Sequence, residues 1–68
     1  MGKTQSTIHD FVDYETVGHY VVREHKTDPL EAMAMSMRSG ARRKFHGETC
    51  LADARRWAWD RYWNEGVL

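Results

Sequence analysis

The chain has 68 residues, with ten basic and ten acidic side chains and a single cysteine, Cys50. A chain of this length forms one domain at most and buries only about 60% of the surface that its unfolded form exposes, so its own core is marginal. One cysteine excludes intramolecular disulfides and favours a reducing compartment, and no apolar run approaches the ~20 residues of a membrane span. We therefore predict a cytoplasmic protein with no membrane segment, a flexible N-terminus over 1–7 and one small domain over 8–68.

The charges balance over the whole chain but not along it. Residues 1–25 carry a net charge of −2, residues 26–44 carry +3, and the remainder carries −1. The neutral total argues against a dedicated nucleic-acid domain, because such domains are usually basic. The basic middle segment remains a candidate contact for an acidic surface.

Residues 8–26 show a mixed pattern. Three valines and a tyrosine between positions 17 and 22 favour a partly exposed strand over 17–26. Residues 8–14 fit two alternatives. They form either an earlier strand that turns near 15–18 to make a hairpin, or a helix with an apolar stripe at Ile8, Phe11 and Val12.

The segment that begins at Asp28 has the pattern of a capped helix. Asp28 is a suitable cap, Pro29 suits the first helical position, and Glu31 lies three residues after the cap. Apolar residues then recur at the three- and four-residue spacing of one buried helical face, at Leu30, Met33, Ala34, Met37, Ala41 and Phe45. Gly40 interrupts this pattern. We predict a helix that either ends before Gly40 or continues, bent, through Phe45.

Three tryptophans and a tyrosine lie within seven residues near the C-terminus. A turn at 46–48 and a cap at Thr49 predict a helix from there to about Asn64, closed by Gly66. Together these elements predict an α+β fold, in which a short N-terminal strand or hairpin packs on two antiparallel α-helices.

The aromatic residues of this second helix divide into two sets when successive residues are placed about 100° apart. Trp59, Tyr62 and Trp63 adjoin one apolar arc, which we predict to be core, packed against the methionine-rich stripe of the first helix. Trp57 lies on the opposite flank, among charged residues. One helix cannot direct both flanks at one small core, so Trp57 is predicted to be partly exposed or in an interface.

Residues that serve in metal sites or catalysis are few and poorly spaced. The candidate metal ligands include no paired cysteines and no shared helical face, so we predict no metal site; these residues are His9, His19, His25, His46 and Cys50. Cys50 lies at a helix start, which is expected to lower the pKa of its thiol, but no acid–base pair and no phosphate-binding loop accompany it. We therefore predict a protein without enzymatic activity, cofactor or metal.

The surplus of aromatic and charged surface predicts a protein that binds another macromolecule. A small domain without an active site is commonly an inhibitor or an adaptor. An inhibitor of a host protein or nucleoprotein complex, encoded by a phage or mobile element, fits this description. The predicted partner-binding residues are one aromatic anchor and the cations around it: Trp57, Arg42, Arg43, Lys44 and Arg61.

Two alternatives remain open. The basic segment Arg38–Lys44 is a candidate for contacts with nucleic-acid phosphates. The predicted strand (18–26), first helix (29–44) and second helix (49–64) follow in an order that resembles that of dimeric ribbon-helix-helix DNA-binding regulators, whose paired strands enter the major groove. The preceding residues 1–17 depart from that pattern. The second alternative is a homodimer closed by the aromatic helix.

Overall fold

The computed structural model describes residues 8–66, and this part of the chain contains four β-strands and one α-helix. A single 3₁₀ turn precedes the first strand. The elements follow in the order β1 (Phe11–Val17), β2 (Tyr20–His25), β3 (Glu31–Ser36), β4 (Arg42–His46) and α1 (Cys50–Gly66). Residues 1–7, predicted to be flexible, lie outside the described residues, as do residues 67 and 68 of the predicted domain.

The four strands form one antiparallel sheet in chain order, so each strand pairs with its neighbour in sequence. Of the two alternatives for residues 8–14, the hairpin strand is the one observed from Phe11 onward. Gly18, in the turn between β1 and β2, has a φ of +62°, in the left-handed region that favours glycine. The ring of Tyr62 lies against it, and a Cβ atom at this position would overlap that ring.

The helix predicted over 29–44 is wrong, because β3 and β4 occupy that part of the chain. The fold is a four-stranded antiparallel sheet with one C-terminal helix, not a strand or hairpin on two antiparallel helices. The residues that resemble a helix cap form a turn instead. The Leu30 N–H donates to Asp28 Oδ1 at 2.9 Å, and the Glu31 N–H donates to the Asp28 carbonyl at 3.3 Å. A local side-chain bond of this kind competes with helix formation.

The apolar residues of β3 fit a period of two as well as a helical stripe. Ala32 and Ala34 face α1, whereas Met33 and Met35 alternate with them and face the other way. Gly40, with a φ of +81°, lies in the connection to β4 and not inside a helix. The methionines therefore do not provide the helical surface that the sequence pattern predicts for them.

The core lies between α1 and one face of the sheet. Three small residues, one helical turn apart, are buried against that face: Cys50, Ala54 and Ala58. Because these side chains are small, the helix approaches the strands closely, and it packs mainly across β3 and β2. The buried strand residues of this core are Val17, Tyr20, Val22, Ala32 and Ala34.

The tryptophans are distributed differently from the prediction. Trp59, Tyr62 and Trp63, predicted as core, are 38%, 38% and 62% exposed. Trp57, predicted to be partly exposed or in an interface, is half-buried and packs against the core. The cause is that β3 and β4 replace the predicted first helix, so α1 packs on a sheet through its stripe of small residues. Trp57 flanks this stripe, because it lies three residues after Ala54 in the helix.

The other face of the sheet holds a second group of buried apolar residues. Phe11, Val21 and Met33 are at most 5% exposed and alternate with the residues that face α1. Arg23 pairs with Met33 across the strands. Its Nε lies 2.9 Å from the Asp13 carboxylate, in an ion pair whose N–H is not aligned for a hydrogen bond. Both faces of this sheet therefore contribute buried apolar surface.

Candidate partner-binding groove

A groove of about 320 Å³ separates β4 from α1. β4 contributes Arg43 and Phe45, because alternate residues of a strand face the same side. The remaining lining side chains come from the helix: Asp53, Arg56, Trp57 and Asp60. Since β4 is the last strand of the described sheet, the groove lies beside the sheet edge.

Phe45 and Trp57 form an aromatic floor in this groove. Their ring centroids are 6.4 Å apart with an interplanar angle of 65°, and Trp57 makes a second edge-to-face contact with Tyr20, at 5.8 Å and 88°. Such ring pairs contribute about 0.5–1.5 kcal/mol beyond the area that they bury. Three elements, β2, β4 and α1, therefore fix the position of Trp57.

Two guanidinium groups lie over this floor. Arg43 Cζ is 5.3 Å from the centroid of the Phe45 ring, and Arg61 Cζ is 4.9 Å from that of Trp57. Arg61 Nε also donates a hydrogen bond to the Tyr20 hydroxyl at 3.3 Å. A stacked guanidinium keeps N–H groups at its edge that can bind a carboxylate. The floor and the two cations together fit a partner that presents apolar and acidic groups side by side.

Two carboxylates reduce the positive charge of the groove. Asp60 Oδ2 lies 4.0 Å from Arg56 Nε, and both side chains are well exposed, so this pair contributes little to stability. Asp53 accepts a hydrogen bond from the Thr49 hydroxyl at 3.0 Å, in the first turn of α1, where the helix dipole favours a carboxylate. Arg43 has no carboxylate partner within residues 8–66.

The five predicted partner-binding residues fall into two groups. Trp57 and Arg43 line the groove, and Arg61 stacks on the Trp57 ring beside it. Arg42 and Lys44 lie on the opposite face of the sheet, because neighbouring residues of a strand point to opposite sides. The strand therefore separates cations that are consecutive in sequence.

The groove also includes lining residues outside the predicted partner-binding set: Phe45, Asp53, Arg56 and Asp60. The sequence signal for Phe45 is its spacing of two from Arg43, which places both on one face only if the segment is a strand. In the helix predicted for this segment, residues two apart lie on different faces, so the prediction does not group Phe45 with Arg43. The signal for Arg56 and Asp60 is their four-residue spacing, which places them on one face of a correctly predicted helix.

A polar cluster ties the end of α1 to the turn between β1 and β2. The Glu65 carboxylate accepts a hydrogen bond from the Tyr20 hydroxyl, and it lies 3.0 Å from His19 Nε2. Burial, and then the hydrogen bond to Glu65, raises the pKa of Tyr20, so this hydroxyl stays protonated and donates. The cluster holds the last turns of α1, and with them Arg61, beside the core.

Cys50 lacks the surroundings of a nucleophile. Its Sγ is buried and donates to the Pro29 carbonyl at 3.4 Å. Burial raises the pKa of this thiol, contrary to the expectation that the helix start lowers it, because the loss of water around a thiolate outweighs the nearby backbone N–H groups. Among residues 8–66, no three His, Cys, Asp or Glu side chains are grouped so that they could hold a metal ion.

No helix in the described part of the chain has the length and apolar character needed to span a bilayer. No protein-family model matches the chain, and no curated protein or solved structure matches it. The geometry of the groove between β4 and α1 is therefore the basis for a functional proposal.

Proposed function

We propose that this protein binds another protein and acts as a non-enzymatic inhibitor or adaptor of a host protein or nucleoprotein complex. The groove between β4 and α1 is the binding surface. The supporting observation is the convergence of an aromatic floor, Phe45 and Trp57, with the guanidinium groups of Arg43 and Arg61. Aromatic and arginine side chains are enriched at the energetic centres of protein interfaces.

The shape of the groove fits a polypeptide segment better than a small metabolite. One strand and one helix form its two walls, and charged side chains line both. Small-molecule sites, in contrast, are mostly apolar concavities that bury most of the ligand. A segment lying in this groove contacts aromatic surface at the centre and polar groups at the rim, which is the usual anatomy of a protein interface.

The charge around the groove favours an acidic partner. Two carboxylates, Asp53 and Asp60, line it. Two cations, Arg43 and Arg56, line it as well. Asp60 lies 4.0 Å from Arg56, whereas Arg43 has no carboxylate partner within residues 8–66, so Arg43 is available to an acidic group of a partner. Complementary charge accelerates encounter and selects against basic partners, and its effect decreases with salt.

Affinity capture from an extract of the native host tests this proposal. The baits are the wild-type protein, Arg43→Glu in the groove, and Lys26→Glu as a matched charge reversal on an exposed residue away from it. We expect a protein that wild type and Lys26→Glu retain equally and that Arg43→Glu retains about tenfold less, as removal of a paired interface charge costs at least ~1.4 kcal/mol. Equal retention by all three baits would contradict the proposal.

Nucleic acid is the alternative partner for the same cations. The order of strand, helix, turn and helix that resembles ribbon-helix-helix regulators is absent from residues 8–66, which contain one helix. A titration with duplex DNA distinguishes the alternatives. Binding at low salt, with an affinity that falls steeply as salt increases, would replace the proposal with a nucleic-acid function.

A further inference from the structure

We infer, on the basis of the proposed function, that the partner supplies an extended acidic peptide segment that adds to the sheet as a fifth strand along β4. Within residues 8–66, β4 has one strand neighbour, β3, and its other side is an edge of the sheet. An edge strand binds an added strand through main-chain hydrogen bonds, and pockets for alternate side chains provide specificity.

The register of β3 and β4 identifies the backbone groups that face this edge. The Gly47 N–H donates to the Leu30 carbonyl at 2.8 Å. Hydrogen-bonded pairs alternate along an antiparallel ladder, so the backbone groups of Phe45 face β3. Those of Arg42 and His46 point away from β3, toward the edge.

The side chains of β4 that face α1 form a binding surface beside this edge. Arg43 and Phe45 line the groove, and Trp57 lies across from them on α1. Every second side chain of an added strand faces one side, with a spacing of about 7 Å. An apolar side chain can therefore contact the aromatic floor while a carboxylate two positions along the peptide contacts Arg43 or Arg56.

The opposite edge of the sheet, β1, is less suited to an added strand. Its pairing with β2 shifts between Asp13 and Glu15, and such bulges protect an edge from further pairing. These two carboxylates already form ion pairs, with Arg23 and Arg55, so β1 of a second copy is a poor acidic strand for β4. In contrast, β4 pairs in an unbroken register, and its Arg43 has no carboxylate partner within residues 8–66.

A peptide titration followed by NMR tests the inference. The probe is a synthetic peptide of about nine residues with blocked ends, long enough to cover β4. Phenylalanine and glutamate alternate at its odd positions, and valine and glutamate at its even positions, so each face presents an apolar side chain and a carboxylate two positions apart. Two further peptides have the same sequence but carry backbone N-methyl groups. In one twin the odd residues are methylated, and in the other the even residues are methylated. Only one set of amides faces β4 in a strand, so we expect one twin to bind about tenfold or more weakly and the other to retain its affinity.

The expected spectral changes are confined to β4 and to the groove side of α1, with slower amide exchange at Arg42 and His46 in the complex. The Arg43→Glu variant should bind the probe about tenfold more weakly, whereas Lys26→Glu should match wild type. A probe in which lysine replaces glutamate should not bind, because the cations of β4 repel it.

Equal affinities for the two methylated twins reject strand addition. NMR spectral changes confined to Trp59, Tyr62 and Trp63 also reject it. If the protein captures a partner through Arg43 but does not bind the probe, strand addition is rejected and the proposed function stands. Failure of the capture itself rejects the proposed function. Concentration-dependent shifts at β4 without peptide identify a second copy as the occupant and also overturn the inference.

Discussion

Replacement of Trp57 by alanine should destabilise the protein much more than the same replacement of Trp63 on the same helix. Trp57 is half-buried and contacts the rings of Tyr20 and Phe45. Trp63 is 62% exposed. The two substitutions are matched in residue type and in secondary structure, so the difference between them measures packing against the sheet.

The magnitude follows from the buried area. A buried tryptophan removes about 150–250 Å² from water, which at about 25 cal/mol per Å² gives about 4–6 kcal/mol for complete burial. Trp57 is partly exposed, so we expect a loss of about 2–4 kcal/mol, against less than about 1 kcal/mol for Trp63→Ala. A chain of this length has a total stability of about 3–10 kcal/mol. The expected decrease in Tm for Trp57→Ala is about 10–25 °C.

Urea denaturation followed by far-UV circular dichroism measures both free energies of unfolding, without depending on the fluorescence of the tryptophan that is removed. Similar losses for Trp57→Ala and Trp63→Ala, or a larger loss for Trp63→Ala, would refute the assignment of Trp57 to the packed side of α1. Because Trp57→Ala weakens the fold, the binding experiments use Arg43→Glu instead.

Three further predictions follow from the core and the turns. In chemical denaturation, Gly18→Ala should lower the free energy of unfolding more than Gly40→Ala. Both glycines have a positive φ, but of the two only Gly18 lies against a side chain. Equal losses of free energy would contradict the contact between Gly18 and Tyr62. Cys50 should resist alkylation by iodoacetamide until the protein unfolds, as measured by mass spectrometry, since burial raises the pKa of its thiol; rapid labelling of the native protein would contradict this. Because the pKa of Tyr20 is raised in the folded state, its contribution to stability is complete below about pH 10 and is lost as pH rises through the folded-state pKa. In denaturation curves, Tyr20→Phe should reduce the decrease in the free energy of unfolding at alkaline pH. An unchanged decrease would mean that another group causes it.

Elements with strong local signals could be predicted from the sequence. The helix predicted from Thr49 to about Asn64 is observed as Cys50–Gly66, and the valine-rich segment forms β2. A cap, a closing glycine and a run of β-branched residues act over a few neighbouring positions. These signals therefore remain valid whatever else the chain packs against.

The segment from Leu30 to Phe45 could not be assigned from its pattern. Its apolar residues satisfy the spacing of a helix and, at Ala32 and Ala34, the alternation of a strand. The deciding interaction is long-range, because Ala34 pairs with Val22 of β2 and with Arg43 of β4. A sequence pattern contains the local preference of a segment but not the strand partners that the rest of the chain provides.

The error in the tryptophans follows from that first error. The flank of a helix that becomes buried depends on what the helix packs against, and a sheet contacts a narrow stripe of small residues such as Ala54 and Ala58. The predicted first helix, over 29–44, would cover a wider arc of α1 that includes Trp59. With the sheet in its place, Trp57 packs beside the stripe and Trp59 stays partly exposed.

Hydrogen exchange measured by mass spectrometry on the captured complex tests the central claim, that the groove between β4 and α1 is the partner-binding surface. The account predicts slower exchange on complex formation in peptides covering β4 and the first half of α1, with little change in β1. Protection confined to β1, or to the C-terminal turns of α1 around Trp63, would contradict it.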